Sequence, residues 1–222
     1  MSQAPRNRTF PVIFAAPSGA GKTSIARALR ERRDDVLFSI SATTRPPREG
    51  EQDGVDYYFH DEADFQRMIE AGELLEWAVV HGNHYGTPRR NLEKALAREQ
   101  YLILDIDVQG SRQIRQLVPD AVSIFVLPPS GEELAHRLAG RGSESSALRA
   151  RRLRAARDEI AAVHEFDYVI VNDEMERVVA AVEGILLSES RRVARIQDLP
   201  GLVGRLSREV DEYLAGGGET SG

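Results

Sequence analysis

The sequence predicts an α/β protein in which a parallel β-sheet is covered by helices on both faces. Short, continuous apolar runs recur along the chain, and a helical pattern follows each of them. A glycine-rich loop separates the first run from its helix. Strands that are buried on both faces read as unbroken apolar runs, whereas half-exposed strands alternate. The continuous runs therefore indicate a parallel sheet rather than an antiparallel one.

Four strands of this sheet can be predicted. The first covers residues 10–15 and leads through the glycine loop into a helix over 23–33, which has Ile25 and Leu29 on one face. The other three strands are predicted at residues 101–107, 123–127 and 168–171.

Two segments interrupt this alternation of strands and helices. Residues 39–90 contain alternating stretches at 55–60 and 74–82, which are typical of antiparallel, half-exposed strands, around a short helix near 63–71. Residues 137–157 are dense in arginine. Insertions over the carboxyl edge of a parallel sheet commonly build a substrate site and a lid, and we expect the same of these two.

Composition excludes several classes of function. The chain has 222 residues, no cysteine, 41% apolar and 29% charged residues, and a net charge of −6. The lack of cysteine excludes a disulfide framework, a thiolate metal site and a cysteine nucleophile. The acidic balance is opposite to that of a typical nucleic-acid binder, and no apolar run approaches the roughly 18 residues of a membrane span. We expect a cytoplasmic enzyme without nucleic-acid or membrane partners.

The residues after the first predicted strand read APSGAGKTS and match the phosphate-loop pattern, except that Ala16 replaces its first glycine. Gly19 and Gly21 permit the positive φ angles that turn backbone N–H groups inward, and the helix N-terminus adds a positive dipole end. Lys22 can reach the outer phosphates, and the Thr23 hydroxyl can bind Mg²⁺. An ordinary glycine turn is the alternative, but the strand–loop–helix context favours phosphate binding. The predicted phosphate-binding residues are Ala16, Pro17, Ser18, Gly19, Ala20, Gly21, Lys22, Thr23 and Ser24.

Two carboxylates, Asp105 and Asp107, end the second predicted strand of the sheet. An acid at such a strand end can hold Mg²⁺ directly or through water. Solvated strand-end carboxylates are the alternative reading, but the neighbouring phosphate loop favours a metal site formed by Asp105 and Thr23.

A second anion site is indicated by Arg45 and Arg48, which lie three residues apart with two prolines between them. Two guanidinium groups on a stiff turn suit a phosphate monoester, and Tyr57 could add a hydroxyl. A solvated basic turn is the alternative reading.

Glu76 lies in an alternating stretch and shares a predicted strand face with Ala78 and Val80. A carboxylate in a cleft accepts hydrogen bonds, and guanine offers adjacent N1–H and N2–H donors where adenine offers no such pair. Taken alone, the residue is more simply an exposed strand acid, so both readings remain open.

Together these motifs resemble the guanylate kinases, specifically the bacterial ones, over about residues 10–200. The segments that carry the resemblance are APSGAGKTS, SISATTRPPREGE, DYYF, EWAVVHGNHYGT, ILDIDVQG, GRGSES and IVND. The resemblance implies the P-loop nucleoside-monophosphate-kinase fold. It also implies transfer of the γ-phosphoryl group of ATP to GMP, and to dGMP, with Mg²⁺, in purine nucleotide metabolism.

The same resemblance implies one domain over residues 9–200 with three parts. Its core would comprise about 9–38, 91–132 and 159–200, its mixed α/β GMP-binding lobe about 39–90, and its helical lid about 133–158. Residues 1–8 and 215–222 are expected to be flexible ends.

Site residues follow from the resemblance, position by position. The GMP phosphate would be held by Arg45, Arg48, Tyr57 and Tyr85, and the base would be surrounded by Ser41, Glu76, Thr87 and Asp107. Asn172 would lie near the adenine of ATP. The implied catalytic set is Lys22, Arg45 and three lid arginines, Arg137, Arg141 and Arg152. Oligomeric state stays open between monomer and homo-oligomer.

Two other functions would share part of this sequence pattern. Another P-loop kinase acting on a different small molecule would keep the loop and the lid but should lack Glu76 and the TTRPPR turn. A guanylate-kinase-like interaction module would be expected to lose Lys22 or the lid arginines. The chain retains all of these residues.

Overall fold

The structure is a computed structural model, and it describes residues 7–80, 82–139 and 146–215. The strands are Pro11–Ala15 (β1), Val36–Phe38 (β2), Ala42–Thr43 (β3), Tyr58–Phe59 (β4), Leu74–Val80 (β5), Asn83–Pro88 (β6), Tyr101–Asp105 (β7), Val122–Leu127 (β8) and Tyr168–Val171 (β9). The helices are Lys22–Arg32 (α1), Glu62–Glu70 (α2), Arg89–Ala97 (α3), Val108–Leu117 (α4), Gly131–Ala139 (α5), Ser146–Ala161 (α6), Met175–Ser190 (α7) and Leu199–Ala215 (α8).

Five strands form a sheet in the order β2-β7-β1-β8-β9, and every neighbouring pair is parallel. This confirms the α/β fold class and the four predicted strands. The edge strand β2 was not predicted because three residues are too few to show a pattern. The predicted strand over 101–107 is two residues shorter, because the side chain of Asp107 accepts a hydrogen bond from the Gly110 N–H and caps α4 instead.

The core of this sheet follows from the apolar runs. Val12, Ile13 and Phe14 of β1 are fully buried, as expected for the central strand of a sheet covered on both faces. Ile13 packs in one cluster with Leu104 of β7 and Ile114 of α4. Each such fully buried side chain contributes about 1.5–3 kcal/mol. The strand ends that precede the site loops are therefore held rigidly.

A second sheet of four strands has the order β4-β3-β6-β5. The predicted stretch at 74–82 contains β5, which pairs antiparallel with β6, and β6 also pairs antiparallel with β3. The stretch at 55–60 contains β4, which pairs in parallel with β3, so the expectation of an antiparallel strand there was wrong. The long connection over residues 44–57 returns the chain to the same edge, which a parallel pair requires. Phe65 of α2 packs with Ala42 and Leu74 beneath this sheet.

The chain divides into two compact units, of which the larger spans Phe10–Val182 and contains both sheets. The smaller comprises residues up to Thr9 together with Glu183 onward. Within the smaller unit, Asn7 forms an antiparallel bridge with Ile196, a pairing that the sequence did not suggest.

In the smaller unit, Arg195 and Glu189 form a buried ion pair, with Arg195 Nη1 2.8 Å from Glu189 Oε2. Helix α8 belongs to the same unit, and none of its residues is buried. Among the residues that the structure describes, no helix is both long and apolar enough to cross a membrane.

Candidate active site

A cleft of about 680 Å³ opens in the larger unit at the carboxyl ends of the central strands. The loop after β1, the end of β7 and the residues after β9 all contribute to its walls. In open parallel sheets, ligands bind at this edge. The predicted residues that line the cleft are Ala16, Pro17, Ser18, Gly19, Ala20, Gly21, Lys22, Thr23, Ser24, Ser41, Tyr57, Glu76, Tyr85, Asp105, Asp107, Arg137 and Asn172.

The phosphate loop is formed mainly by its own backbone. Gly19 and Gly21 have φ angles of 88° and 95°, which favour glycine over any residue with a Cβ. A Cβ on Gly21 would also lie 2.3 Å from the amide nitrogen of Asn172, which donates a 2.7 Å hydrogen bond to the Ala20 carbonyl. Within the described part of the chain, no side chain caps the first turn of α1. This end of the helix is therefore a ready anion site.

The ammonium group of Lys22 lies at the carboxyl end of β7. Its Nζ lies 2.9 Å from Asp105 Oδ1 and donates a 3.2 Å hydrogen bond to the Ile106 carbonyl. Both side chains of the ion pair are partly exposed to the cleft, at 20% and 37%. The lysine and the predicted metal ligand are thus adjacent.

Glu159 of α6 is a cleft residue that the sequence did not suggest. The Ser18 N–H donates a 3.2 Å hydrogen bond to Glu159 Oε2, across 141 residues of sequence. The carboxylate therefore occupies a donor of the phosphate loop, where a phosphate oxygen would be expected. Ala78, Val80, Gly86, Ile106, Asp173 and Met175 complete the lining.

Glu76 lies buried on the opposite wall, only 5% exposed, and its Oε1 accepts a 2.6 Å hydrogen bond from the Thr87 hydroxyl. Thr87 is itself fully buried on the neighbouring strand β6. The pKa of Glu76 is raised to about 7, mainly by burial and also by repulsion from Asp107, although the hydrogen bond from the Thr87 hydroxyl acts to lower it. The reading of Glu76 as an exposed strand acid is thereby excluded.

The approach of Glu76 to α4 depends on a glycine. A Cβ on Gly110 would lie 2.5 Å from Glu76 Oε2. Gly110 also donates its N–H to the capping side chain of Asp107 at 2.7 Å.

Arg45 is the centre of a cluster of side chains beside the cleft. Its Nε donates to the Tyr85 hydroxyl at 3.2 Å, and its guanidinium lies 5.3 Å from the centre of the Tyr57 ring. Its Nη2 lies 2.9 Å from each carboxylate oxygen of Glu51. Three of the four residues predicted to hold a phosphate thus lie together, although Arg45 itself is not among the described residues that line the cleft.

Glu51 is the anionic member of this cluster and was not predicted to have a role. The Arg48 backbone N–H donates to its Oε2 at 2.7 Å. Although burial acts to raise the pKa of Glu51, the hydrogen bonds from Arg48 and Arg45 lower it below its ordinary value. Burial acts to lower the pKa of Arg45, but hydrogen bonds to Glu51 and Tyr85 raise it. The charged pair is therefore mutually stabilised.

The remaining predicted residues are less closely associated with the cleft. Arg48 is exposed on its loop, Thr87 lies behind Glu76, and Arg152 is half-buried in α6 away from the described lining. Arg137 does line the cleft, where its Nη1 lies 3.3 Å from the Ala20 carbonyl and its Nε donates to Glu133 at 2.7 Å. Arg141 lies outside the described residues.

These features define a class of protein: a P-loop α/β protein whose phosphate loop shares a cleft with a buried carboxylate, Glu76. The sequence profile of the guanylate kinase family matches residues 8–189. Guanylate kinases of Synechococcus sp. (strain JA-3-3Ab) and Symbiobacterium thermophilum are 48% and 50% identical to the chain. These alignments cover 84% and 83% of the chain and 86% and 87% of the two relatives.

The fold is also similar to that of a guanylate kinase of known structure. The crystal structure of guanylate kinase from Anaplasma phagocytophilum superposes with a TM-score of 0.75 at 34% identity and covers 90% of the chain and 95% of its own. The chain belongs to the guanylate kinase family and has the nucleoside-monophosphate-kinase fold. As a kinase of this family, it phosphorylates GMP with ATP to give GDP and ADP.

Proposed function

We propose that the two nucleotides bind on opposite walls of the cleft, with ATP at the phosphate loop and GMP at Glu76. The observation that supports this arrangement best is that a backbone anion site and a buried carboxylate open into the same cavity. A phosphoryl donor and an acceptor must meet in line in such a cavity.

On the ATP side, the loop from Ala16 to Ser24 would surround the phosphates with its N–H groups. The carboxylate of Glu159 would leave the Ser18 N–H, and Lys22 would turn from Asp105 towards the outer phosphates. Both present contacts involve partly exposed groups, whose exchange costs little. The position of Asn172 near the adenine remains a prediction.

On the GMP side, Glu76 would accept from the N1–H and N2–H donors of guanine, with Ser41, Thr87 and Asp107 around the base. The phosphate would lie against Arg45, Tyr57 and Tyr85, and Arg48 would turn inward from its loop. The deoxyribose of dGMP removes a hydroxyl that none of these contacts requires. We therefore propose dGMP as a second substrate.

Thr23 and Asp105 would hold Mg²⁺, which neutralises charge on the β- and γ-phosphates when bound. A hydroxyl and a carboxylate are oxygen ligands of the kind that Mg²⁺ prefers, and Mg²⁺ usually takes only one or two protein ligands beside phosphates and water. The proposal is supported by the position of Asp105, whose Oδ1 lies 2.9 Å from Lys22 Nζ of the phosphate loop.

The chain's own residues would act by positioning and by charge neutralisation. The GMP phosphate is already an anionic nucleophile, so the reaction needs no general base. Arg137, with Arg141 and Arg152 from the proposed lid, would stabilise the transferring phosphoryl group. We also propose a cytoplasmic location, with no nucleic-acid or membrane partner, consistent with the charge of −6.

A coupled assay of ADP release across GMP, dGMP, AMP, CMP and UMP tests this assignment. We expect turnover with GMP and dGMP, at most weak turnover with the other three, and loss of activity in EDTA. Preferred turnover of another acceptor would support the rival kinase function. Failure to turn over any acceptor would support the interaction-module function.

A further inference from the structure

Helix α8 carries an apolar stripe, most of which is not covered by any residue that the structure describes. Val203, Leu206, Val210 and Tyr213 are 53%, 49%, 57% and 73% exposed. At the α-helical repeat, seven apolar side chains fall within an arc of about 120°. They are Leu199, Leu202, Val203, Leu206, Val210, Tyr213 and Leu214. The family profile ends at residue 189, so this stripe lies outside the part of the chain that the guanylate kinase site explains.

The helix has little reason to be stable without a partner surface. Its interior contains Gly204, and a glycine there costs about 1 kcal/mol relative to alanine. Most helical stability in proteins comes from packing of an apolar face, and no residue of α8 is buried.

The charges on α8 are divided between its two halves. Arg205 and Arg208 precede Glu209, Asp211 and Glu212. A second α8 aligned in parallel would place like charges side by side. An antiparallel one would place the basic half beside the acidic half and would also oppose the two helix dipoles.

The apolar positions fit the same antiparallel arrangement. With a two-fold axis near residue 208, Leu206 faces Val210 of the second copy, and Val203 faces Tyr213. These residues recur at alternating intervals of three and four, the spacing of a two-helix seam. We propose that α8 is a self-association surface, through which two copies of the chain pair as an antiparallel helix dimer.

The size of the α8 surface determines how strongly the two copies are expected to associate. A helix of 17 residues is about 25 Å long and offers two heptads of contact. Such an interface is at the small end of specific protein contacts, so we expect a dissociation constant of roughly 1–100 μM.

Sedimentation equilibrium of the full chain between about 1 and 200 μM tests the dimer. We expect a shift from monomer to dimer mass in wild type and at least roughly tenfold weaker association in Leu206→Asp, because a charge would enter the apolar seam. Leu187→Asp, at an exposed leucine of α7, is the matched control and should associate as wild type does. A monomer at every concentration, or equal association of Leu206→Asp and wild type, would overturn the proposal.

Thiol cross-linking tests the orientation, because the chain has no cysteine of its own. In the antiparallel pair, two copies of residue 207 lie near the axis, whereas two copies of residue 213 lie about 15 Å apart along it. With a short bismaleimide, Ser207→Cys should therefore form a covalent dimer and Tyr213→Cys should not. Efficient linkage through Tyr213→Cys alone would show a parallel pair and overturn the proposed register.

Discussion

The two walls of the cleft are built in different ways. The phosphate loop is a continuous segment shaped by its own backbone, with glycines at the two positions of positive φ. The opposite wall is assembled from side chains on β5, β6 and the loop after β3, which are joined by Thr87–Glu76 and Arg45–Tyr85 contacts. The shape of the first wall therefore depends on local sequence, whereas the shape of the second depends on tertiary contacts.

The walls also differ in electrostatics. Lys22 and Asp105 form a partly exposed pair that can exchange for phosphate and metal at small cost. Glu76 is buried without a cationic partner in the described contacts, so its charge state depends on what enters the cleft. Substitutions on the first wall should consequently affect chemistry, and those on the second should affect recognition and its dependence on pH.

The largest effect is expected for Lys22→Ala, which removes the cation of the phosphate loop. Turnover should fall to background while the chain stays folded, because the lysine stem lies beside the cleft and not in the core. Lys94→Ala removes the only other lysine, on an exposed helix face, and should leave kcat unchanged. A Lys22→Ala enzyme that keeps a tenth of wild-type kcat would show that the phosphate-loop assignment is wrong.

A smaller loss is expected for Arg137→Ala, because the proposed lid arginines share their task. Arginine fingers contribute about 10³–10⁵ in rate, and we expect a loss near 10³ in kcat with little change in GMP affinity. Steady-state kinetics at saturating ATP separate the two constants. An unchanged kcat with a raised KM would place Arg137 in substrate binding instead.

The pH dependence of GMP binding should report the protonation state of Glu76. Its pKa is about 7 in the empty cleft, and guanine donors require the carboxylate. Below pH 7 the group must therefore release its proton on binding, so affinity should fall roughly tenfold between pH 8 and pH 6. Calorimetry in buffers of different ionisation enthalpy would detect the proton that is released when GMP binds. Glu76→Gln should lose this dependence and keep only that of the nucleotide phosphate, and an equal pH profile in both proteins would contradict the assignment.

The smallest effect is expected for Glu51→Gln, which weakens the support of Arg45. Loss of one charged hydrogen-bond acceptor should raise the KM for GMP about three- to tenfold with kcat nearly unchanged. Glu49→Gln in the same exposed loop is the matched control. If kcat fell and KM did not, Glu51 would act in the chemical step and not in positioning.

Much of the fold could be predicted because apolar continuity is a local property. Runs such as YLILD and SIFVL predicted strands of the parallel sheet, and the glycine-rich pattern predicted the loop that lines one wall of the cleft. The two-residue strands β3 and β4 and the parallel pairing between them were beyond reach, because so few residues show no period. Their direction is set by the loop that joins them.

In the candidate site, too, residues that depend on partners far away in the sequence could not be predicted. Glu76 was ambiguous in the sequence because its burial depends on Thr87 across the sheet and on Gly110 at the start of α4. Glu159 was missed because its contact with Ser18 spans 141 residues, and Glu51 because a carboxylate in a polar loop has no distinctive spacing. Their roles come from partners that only the folded chain brings near.

The proposed division of the cleft into an ATP wall and a GMP wall is tested most directly by measuring GMP turnover and ATP affinity separately in Glu76→Gln. Glu73→Gln, at an exposed residue, is the control. The amide presents its NH₂ to a guanine donor, and an unpaired buried polar group costs about 1–3 kcal/mol, more with a charge. We predict a 10- to 1000-fold loss in kcat/KM for GMP, weaker discrimination against AMP, and unchanged ATP affinity by calorimetry. A loss of less than threefold for GMP, or an equal loss of ATP binding, would contradict the account.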